Sequence, residues 1–172
     1  VNMLAREIGP QLGFWKPVVV SHHMLMGLEK PASKSADKTT RTIELKMSKS
    51  KPDTSIFMTD GEEDLKRKVE KAYCPPGIAE ENPVLEYFKY IVFEKFPSVQ
   101  IKREEKHGGN LAFQSYLQFE EAYKNNALHP QDVKNTLVYY LNELIKPVRD
   151  YFENNPEARR LKEEVESYTV TR

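Results

Sequence analysis

The pattern of apolar positions divides this chain into an ambiguous first third and a clearly periodic remainder. Leu4, Ile8 and Leu12 fall on one face of a helix over Val1 to Leu12, with Gly13 as its stop. Lys16-Pro17-Val18-Val19-Val20 follows as a short continuous apolar run, the pattern of a strand buried on both faces of a parallel sheet. A lone buried strand has nowhere to send its backbone hydrogen bonds. The first fifty-five residues are therefore expected to be the last helix–strand unit of an α/β sheet whose other strands lie outside this sequence. Residues 28 to 55 lack periodicity and are rich in Ser, Thr and Lys, which predicts a long, mobile loop.

Beyond residue 55 the periodicity is helical. Asp60 and Glu63 have capping-box spacing ahead of Leu65, Val69 and Tyr73, and Cys74-Pro75-Pro76-Gly77 ends that helix. Asn82-Pro83 opens a second helix with Leu85, Phe88, Ile91 and Val92 on its buried face. Val99 to Arg103 alternates like a strand, and the turn Gly108-Gly109-Asn110 leads to Leu111-Ala112-Phe113, so a short β-hairpin is expected. Ser115 and Gln118 cap a helix carrying Phe119 and Tyr123. His129-Pro130 opens a long helix with Val133, Leu137, Leu141, Leu144 and Val148, which Pro147 should kink, and Asn155-Pro156 starts a last, charged one. The expected architecture is mostly α: residues 1–55 end a Rossmann-type α/β domain, and residues 56–172 form a helical domain with a hairpin.

Composition narrows the class. With 39% hydrophobic and 30% charged residues, the 172-residue chain can build a core under a wet surface. No apolar run reaches membrane-spanning length, and the start lacks a basic-then-apolar leader. The one cysteine, Cys74, has no partner for a disulfide or a CxxC site. A cytoplasmic protein with no protein-bound metal is expected. His22-His23 does not change this, because adjacent side chains on an extended segment point to opposite sides. The net charge is zero, yet residues 30 to 52 hold seven Lys/Arg against Asp37 and Glu44, which makes that segment +5 and the remainder −5. A basic loop suits phosphate, although charge alone fits a solvated linker equally well.

Within that loop stands Lys46-Met47-Ser48-Lys49-Ser50, two ammonium groups and two hydroxyls on a short stretch. Lysines supply point charge where negative charge develops, and hydroxyls supply adjustable hydrogen bonds, as a departing pyrophosphate requires. The pentapeptide resembles the KMSKS signature of class I aminoacyl-tRNA synthetases, which follows a Rossmann-type catalytic domain and precedes a helical anticodon-binding domain. Four further segments resemble the archaeal and eukaryotic tyrosyl-tRNA synthetases: Lys71-Ala72-Tyr73-Cys74-Pro75-Pro76-Gly77, Glu81-Asn82-Pro83-Val84-Leu85, Glu105-Lys106-His107-Gly108-Gly109-Asn110 and His129-Pro130-Gln131-Asp132-Val133-Lys134-Asn135. The likeness spans essentially the whole chain.

That resemblance implies activation of tyrosine by ATP, accompanied by Mg2+, and transfer to tRNA(Tyr). It implies ATP-binding roles for Met24, Leu25, Lys46, Met47, Ser48, Lys49 and Ser50, with Lys46 and Lys49 catalytic. Met24 and Leu25 belong to His23-Met24-Leu25-Met26-Gly27-Leu28, which resembles the stretch passing the adenine. It further implies that His107, His129, Pro130 and Asp132 meet the first anticodon base. The family's HIGH-type motif, its tyrosine-recognising residues and its homodimer interface have no counterpart in the sequence. A piece of an enzyme is therefore expected, inactive by itself; a free-standing RNA-binding module is the alternative. Without the resemblance, Asp132 reads as a carboxylate favouring a helix N-terminus, Tyr139, Tyr140 and Tyr151 as packing and surface residues, and Cys74 as a small buried hydrophobe.

Overall fold

The computed structural model describes residues 2–31, 45–48 and 51–168, with the Asn2 and His107 side chains excluded. Six helices and one hairpin order these residues: α1 (Asn2–Gln11), α2 (Glu62–Lys71), α3 (Pro83–Tyr87, continuing through a π-helical turn Phe88–Val92 into Phe93–Lys95), β1 (Val99–Ile101), β2 (Leu111–Phe113), α4 (Tyr116–Lys124), α5 (Pro130–Asn154) and α6 (Pro156–Ser167). Two short 3-10 turns, Pro52–Thr54 and Glu105–His107, complete the list. The chain is mostly helical with a two-stranded antiparallel sheet.

Local chemistry accounts for the starts. The Asn82 side chain accepts from the Val84 and Leu85 amides, and Pro83 occupies the first turn, where its missing N–H costs nothing. Ser115 accepts from Gln118 N to open α4, and Asn155 from Ala158 N to open α6. The hairpin pairs Val99 with Phe113, Gln100 with Ala112 and Ile101 with Leu111. Its period of two turns Val99 and Ile101 inward and leaves Gln100 outside. Gly108, at φ +91, supplies the left-handed turn that ends the 3-10 segment.

The core lies between α2, α3, α4, α5 and the hairpin. Leu65, Val69, Leu85, Phe88, Val92, Ile101, Phe119, Tyr123, Val133 and Leu137 are all fully buried. Phe119 sits at its centre, its ring 4.6 Å from that of Phe88 and 5.5 Å from that of Phe113. The hairpin docks on α5 through Tyr140, whose hydroxyl accepts from Gln100 N at 2.9 Å. α5 runs unbroken through Pro147. Leu28, far upstream, is 2% exposed within this same core and exchanges backbone bonds with both Thr54 and Tyr73.

Two expectations are corrected. Lys16–Val20 is not a buried strand: Val18 is 78% and Val20 82% exposed, and no ladder forms there among the described residues. Extended backbone becomes a strand only when a neighbour pairs with it, and the described residues supply none. Nor do Asp60 and Glu63 form a capping box. Gly61 is the N-cap of α2, with no side-chain cap bond, because the Asp60 carboxylate is turned inward onto Lys68 and the Phe57 amide. An ammonium buried with it outcompetes an exposed backbone N–H for the carboxylate. The apolar face of α1 stays in solvent, with Met3, Leu4 and Leu12 exposed.

Candidate functional site

The first group of expected residues lies where the loop returns to the helices. Met26 and Lys46 form an isolated antiparallel bridge. Gly27 N donates to Leu45 O at 2.7 Å, and Met47 N to Leu25 O at 3.2 Å. Gly27 is closely flanked: a Cβ there would stand 3.5 Å from Thr54 O and 3.7 Å from Lys46 O. Leu25–Gly27 and Leu45–Met47 are thereby held side by side, as backbone partners. The Lys46 side chain is exposed and Ser48 is half-buried. Met24 is half exposed. Lys49 and Ser50 lie outside the described residues.

Both ends of this pair are anchored to the helical part. The Glu86 carboxylate of α3 accepts from Met26 N and from His23 Nε2, each at 2.6 Å, and the His23 ring stacks 3.9 Å from Tyr90. On the other side Ser55 Oγ donates to Ser48 O at 2.9 Å. The exposed Lys51 ammonium meets Glu29 at 2.8 Å. Arg67 holds the Asp53 carboxyl below the usual carboxylate range through a direct hydrogen bond of 2.6 Å.

The second group gathers at the N-terminus of α5. His129 is its N-cap, with Nδ1 accepting from Gln131 N at 3.2 Å; an accepting Nδ1 leaves the ring proton on Nε2. Pro130 fills the first helical position and Asp132 the first turn. These three line an open cleft of about 500 Å³ together with Pro76, Arg103, Asn126, Ala127 and Leu128. Among the described residues no hydrogen-bond donor or ion pair engages the Asp132 carboxylate, which is half-buried. His107 lies in the turn above, between Glu105 and Gly108.

Arg103 is the cleft residue that the sequence patterns missed. Its Nε donates to Gly109 O at 3.0 Å and one terminal nitrogen to Ala127 O at 2.9 Å, so it ties the hairpin turn to the α4–α5 loop. It reads locally as the last residue of an alternating strand, and nothing in its neighbours signals a contact 24 positions away. Gly77, at φ +68, packs closely against the lining residue Asn126: a Cβ there would stand 2.9 Å from the Asn126 side chain. Beside it, Tyr123 donates its hydroxyl to Pro75 O at 2.8 Å, and Cys74 Sγ lies 3.2 Å from the Tyr123 hydroxyl oxygen. Burial pushes the Cys74 thiol above its ordinary range. Among the described residues no group of three His, Cys, Asp or Glu could hold a metal ion, and no helix is long and apolar enough to cross a membrane.

A family model, tRNA synthetases class I (W and Y), matches residues 2–146. The chain is 42% identical over 173 residues to the cytoplasmic tyrosine–tRNA ligase 2 of Arabidopsis thaliana, a match that takes in 100% of this chain and 22% of that protein. It is 38% identical over 175 residues to the tyrosine–tRNA ligase of Saccharolobus solfataricus, covering 99% of this chain and 48% of the other. Among solved structures, the tyrosyl-tRNA synthetase of Pyrococcus horikoshii, complexed with L-tyrosine, superposes with a TM-score of 0.79 at 31% identity, over 95% of this chain and 48% of that one. The enzyme of Aeropyrum pernix gives a TM-score of 0.73 at 33% identity, over 97% and 45%. The chain thus spans about half the length of the archaeal relatives it matches, and about a fifth of the plant one. With most of its length matched by the family model, this chain belongs to the tRNA synthetases class I (W and Y).

Proposed function

We propose that this chain is the part of a tyrosine–tRNA ligase that handles ATP phosphates and reads the anticodon. One observation carries the reading: Leu45–Met47, the start of the basic, hydroxyl-bearing motif, is bonded edge to edge with Leu25–Gly27, the stretch expected to pass the adenine. We divide the chain near residue 55, into the end of a Rossmann-type catalytic domain (1–55) and an anticodon-binding domain (56–172). Leu28 packs across that boundary into the helical core.

In the activation step a tyrosine carboxylate oxygen bonds to the α-phosphorus of ATP while the bridging bond to the β-phosphate breaks. Pyrophosphate leaves with the electron pair, and negative charge grows on it as it goes. Lys46, with Lys49, meets that charge, and the hydroxyls of Ser48 and Ser50 hydrogen-bond the phosphate oxygens. Mg2+ arrives with the nucleotide as part of the substrate. Met24 and Leu25 border the adenine through backbone groups, which Glu86 keeps in place from α3. The tyrosine pocket and the dimer interface belong to other segments of the homodimeric ligase.

At the far end, the Nε2–H of His129 and the Pro130 ring present a surface to a splayed base, and the Asp132 carboxylate accepts from its edge. The first anticodon base of tRNA(Tyr), a guanine, offers the matching N1–H and N2–H2 donors. His107 would close the base from the hairpin side, and Arg103 brings that turn to the cleft.

The test uses the complete protein that contains this chain, assayed for pyrophosphate exchange with each of the twenty amino acids and for charging of tRNA(Tyr). Exchange dependent on tyrosine alone is expected. Tight binding of tRNA(Tyr) with no exchange for any amino acid would replace this reading by a free-standing RNA-binding module.

A further inference from the structure

Lys68 is a charged residue that the site above does not use. It is 3% exposed on α2, under the loop rather than facing it. Its ammonium donates to Asp60 Oδ1 at 2.8 Å, to Asp60 Oδ2 at 2.7 Å and to Ser55 O at 2.9 Å. It also stands 4.5 Å from the centre of the Phe57 ring. All three ammonium protons are directed by these contacts. Burying an ion pair is costly, and apolar residues of the same size often stabilise a fold as well or better. Stability alone is therefore a poor reason for an ammonium at this position. A directed donor is what an apolar side chain cannot replace.

The carbonyl that Lys68 holds belongs to Ser55, itself 1% exposed. The Ser55 hydroxyl donates to Ser48 O at 2.9 Å, and Lys51 N donates to the same carbonyl at 3.1 Å. Ser48 is the middle residue of the phosphate motif. On the other flank Asp60 is fixed twice more: Oδ2 accepts from Phe57 N at 2.9 Å, and its main-chain carbonyl accepts from Arg149 of α5 at 2.9 Å. A continuous hydrogen-bonded path thus runs from α5 through Asp60, Lys68 and Ser55 to the main chain of the motif.

We propose that Lys68 is a positioning residue for the phosphate loop, acting through Ser55 on the Ser48 carbonyl. The inference rests on the reading of residues 46–50 as the ATP-phosphate loop. Lys68 touches no substrate. It fixes Ser55, and Ser55 fixes the backbone that aims Lys46 and the Ser48 hydroxyl. Misplacing that backbone removes contacts to the charge that develops in the transition state, while ground-state binding of ATP is supported mainly elsewhere.

The experiment measures pyrophosphate exchange in the complete protein for Ser55→Ala, Lys68→Met and the double variant, with melting temperatures alongside. Ser55→Ala removes a single hydrogen bond and is expected to lower kcat by about 3–10-fold with the KM for ATP within about twofold. Ser55→Thr, which keeps the hydroxyl, should recover most of the loss. Lys68→Met should lower the same parameter at least as far. The double variant should be no worse than Lys68→Met alone, because the two residues act in series. If Lys68→Met does not fold, Ser55→Ala and Ser55→Thr carry the test by themselves. An unchanged kcat in folded Ser55→Ala, or losses that multiply in the double variant, overturns the inference. Absence of tyrosine-dependent exchange in the unsubstituted protein is a different failure: it removes the phosphate-loop reading, and this inference falls with it.

Discussion

The Glu86 carboxylate and the Met26 amide are 2.6 Å apart, although 60 residues separate them in the chain. The other Glu86 oxygen accepts from His23, so one side chain of α3 holds, at two points, the stretch that pairs with Leu45–Met47. A charge-assisted bond to a partly buried amide is worth about 1.5–3 kcal/mol. Glu86→Ala should therefore speed exchange of the Met26 amide hydrogen by about 10- to 100-fold while leaving the α5 core amides unchanged. Equal exchange at Met26 in the two proteins would mean that the Lys46 bridge alone fixes this segment.

The stretch upstream of that clamp should be the least stable of the described residues when the chain is in isolation. Trp15, Val18 and Val20 are 75%, 78% and 82% exposed, and no strand pairs with them among the described residues. Amides 15–21 should exchange near the rate of an unstructured peptide, whereas Val133–Leu141 exchange only on global unfolding. Slow exchange at Val18–Val20 in a demonstrated monomer would contradict this.

This contrast marks how far the sequence could be read. Elements fixed by neighbours in the chain were legible: Asn82-Pro83 and His129-Pro130 start helices where capping chemistry says they should, and Val99 to Phe113 forms the expected hairpin. Misreadings arose where a distant partner decides. The valine run has strand character but lacks a ladder. Asp60 has the spacing of a cap, yet a lysine two turns into α2 takes its carboxylate. Arg103 enters the cleft through contacts with Gly109 and Ala127 that no periodicity encodes. Spacing within an element reports faces, not which groups meet across elements.

Tyr87 offers a test of the core. Its hydroxyl is buried, and among the described residues it has no hydrogen-bond partner; burial pushes its ionisation well above the ordinary tyrosine range. A buried hydroxyl without a partner carries a desolvation cost of about 1–3 kcal/mol. Tyr87→Phe should thus be neutral or stabilising, with a midpoint of denaturation equal to or above that of the unsubstituted chain. A loss beyond about 1 kcal/mol would show that a water or another group satisfies the hydroxyl.

Cys74 should react slowly as long as the fold holds. Burial raises the thiol's pKa and outweighs the opposing hydrogen bonds of Tyr123 and Asn82, so less thiolate is present at a given pH than for an exposed cysteine. The sign is that of an acid whose neutral form is favoured by folding: protection holds at and below neutral pH and weakens as pH rises. Alkylation by iodoacetamide at pH 8 should be at least about tenfold slower in the native chain than in urea. Equal rates would place the sulfur in solvent.

In the complete protein, Lys46→Ala and Lys49→Ala should each slow tyrosine activation far more than they weaken ATP binding. On the proposed reading their targets are charges that appear as pyrophosphate departs, and one such contact is worth about 3–4 kcal/mol, or about 10²–10³ in rate. If ATP affinity falls as much as the rate does, these lysines contribute uniform binding, and their transition-state role is wrong.

Asp132 carries the sharpest prediction, because two explanations of one carboxylate compete. In the first turn of α5 it complements the helix dipole, a contribution of about 0.3–1 kcal/mol that is independent of any RNA. It also faces an open cleft shared with His129 and Arg103, where no protein donor among the described residues engages it. Guanine offers two adjacent donors on its Watson–Crick edge, and a splayed base in a single-stranded loop can present them. Stacking on an imidazole adds a further contribution, at the low end of about 1–3 kcal/mol. In the complete enzyme Asp132→Ala should raise the KM for tRNA(Tyr), leave pyrophosphate exchange unchanged, and reduce discrimination against a tRNA whose first anticodon base is altered. Asp132→Asn separates the roles further, since it keeps the shape but replaces one acceptor oxygen with a donor that clashes with guanine's own. The decisive measurement is a double cycle that pairs Asp132→Ala with replacement of that guanine. A reading contact predicts that the second loss is small once the first has been incurred. If the two losses simply add, Asp132 does not touch that base, and its place at the helix terminus is its whole role.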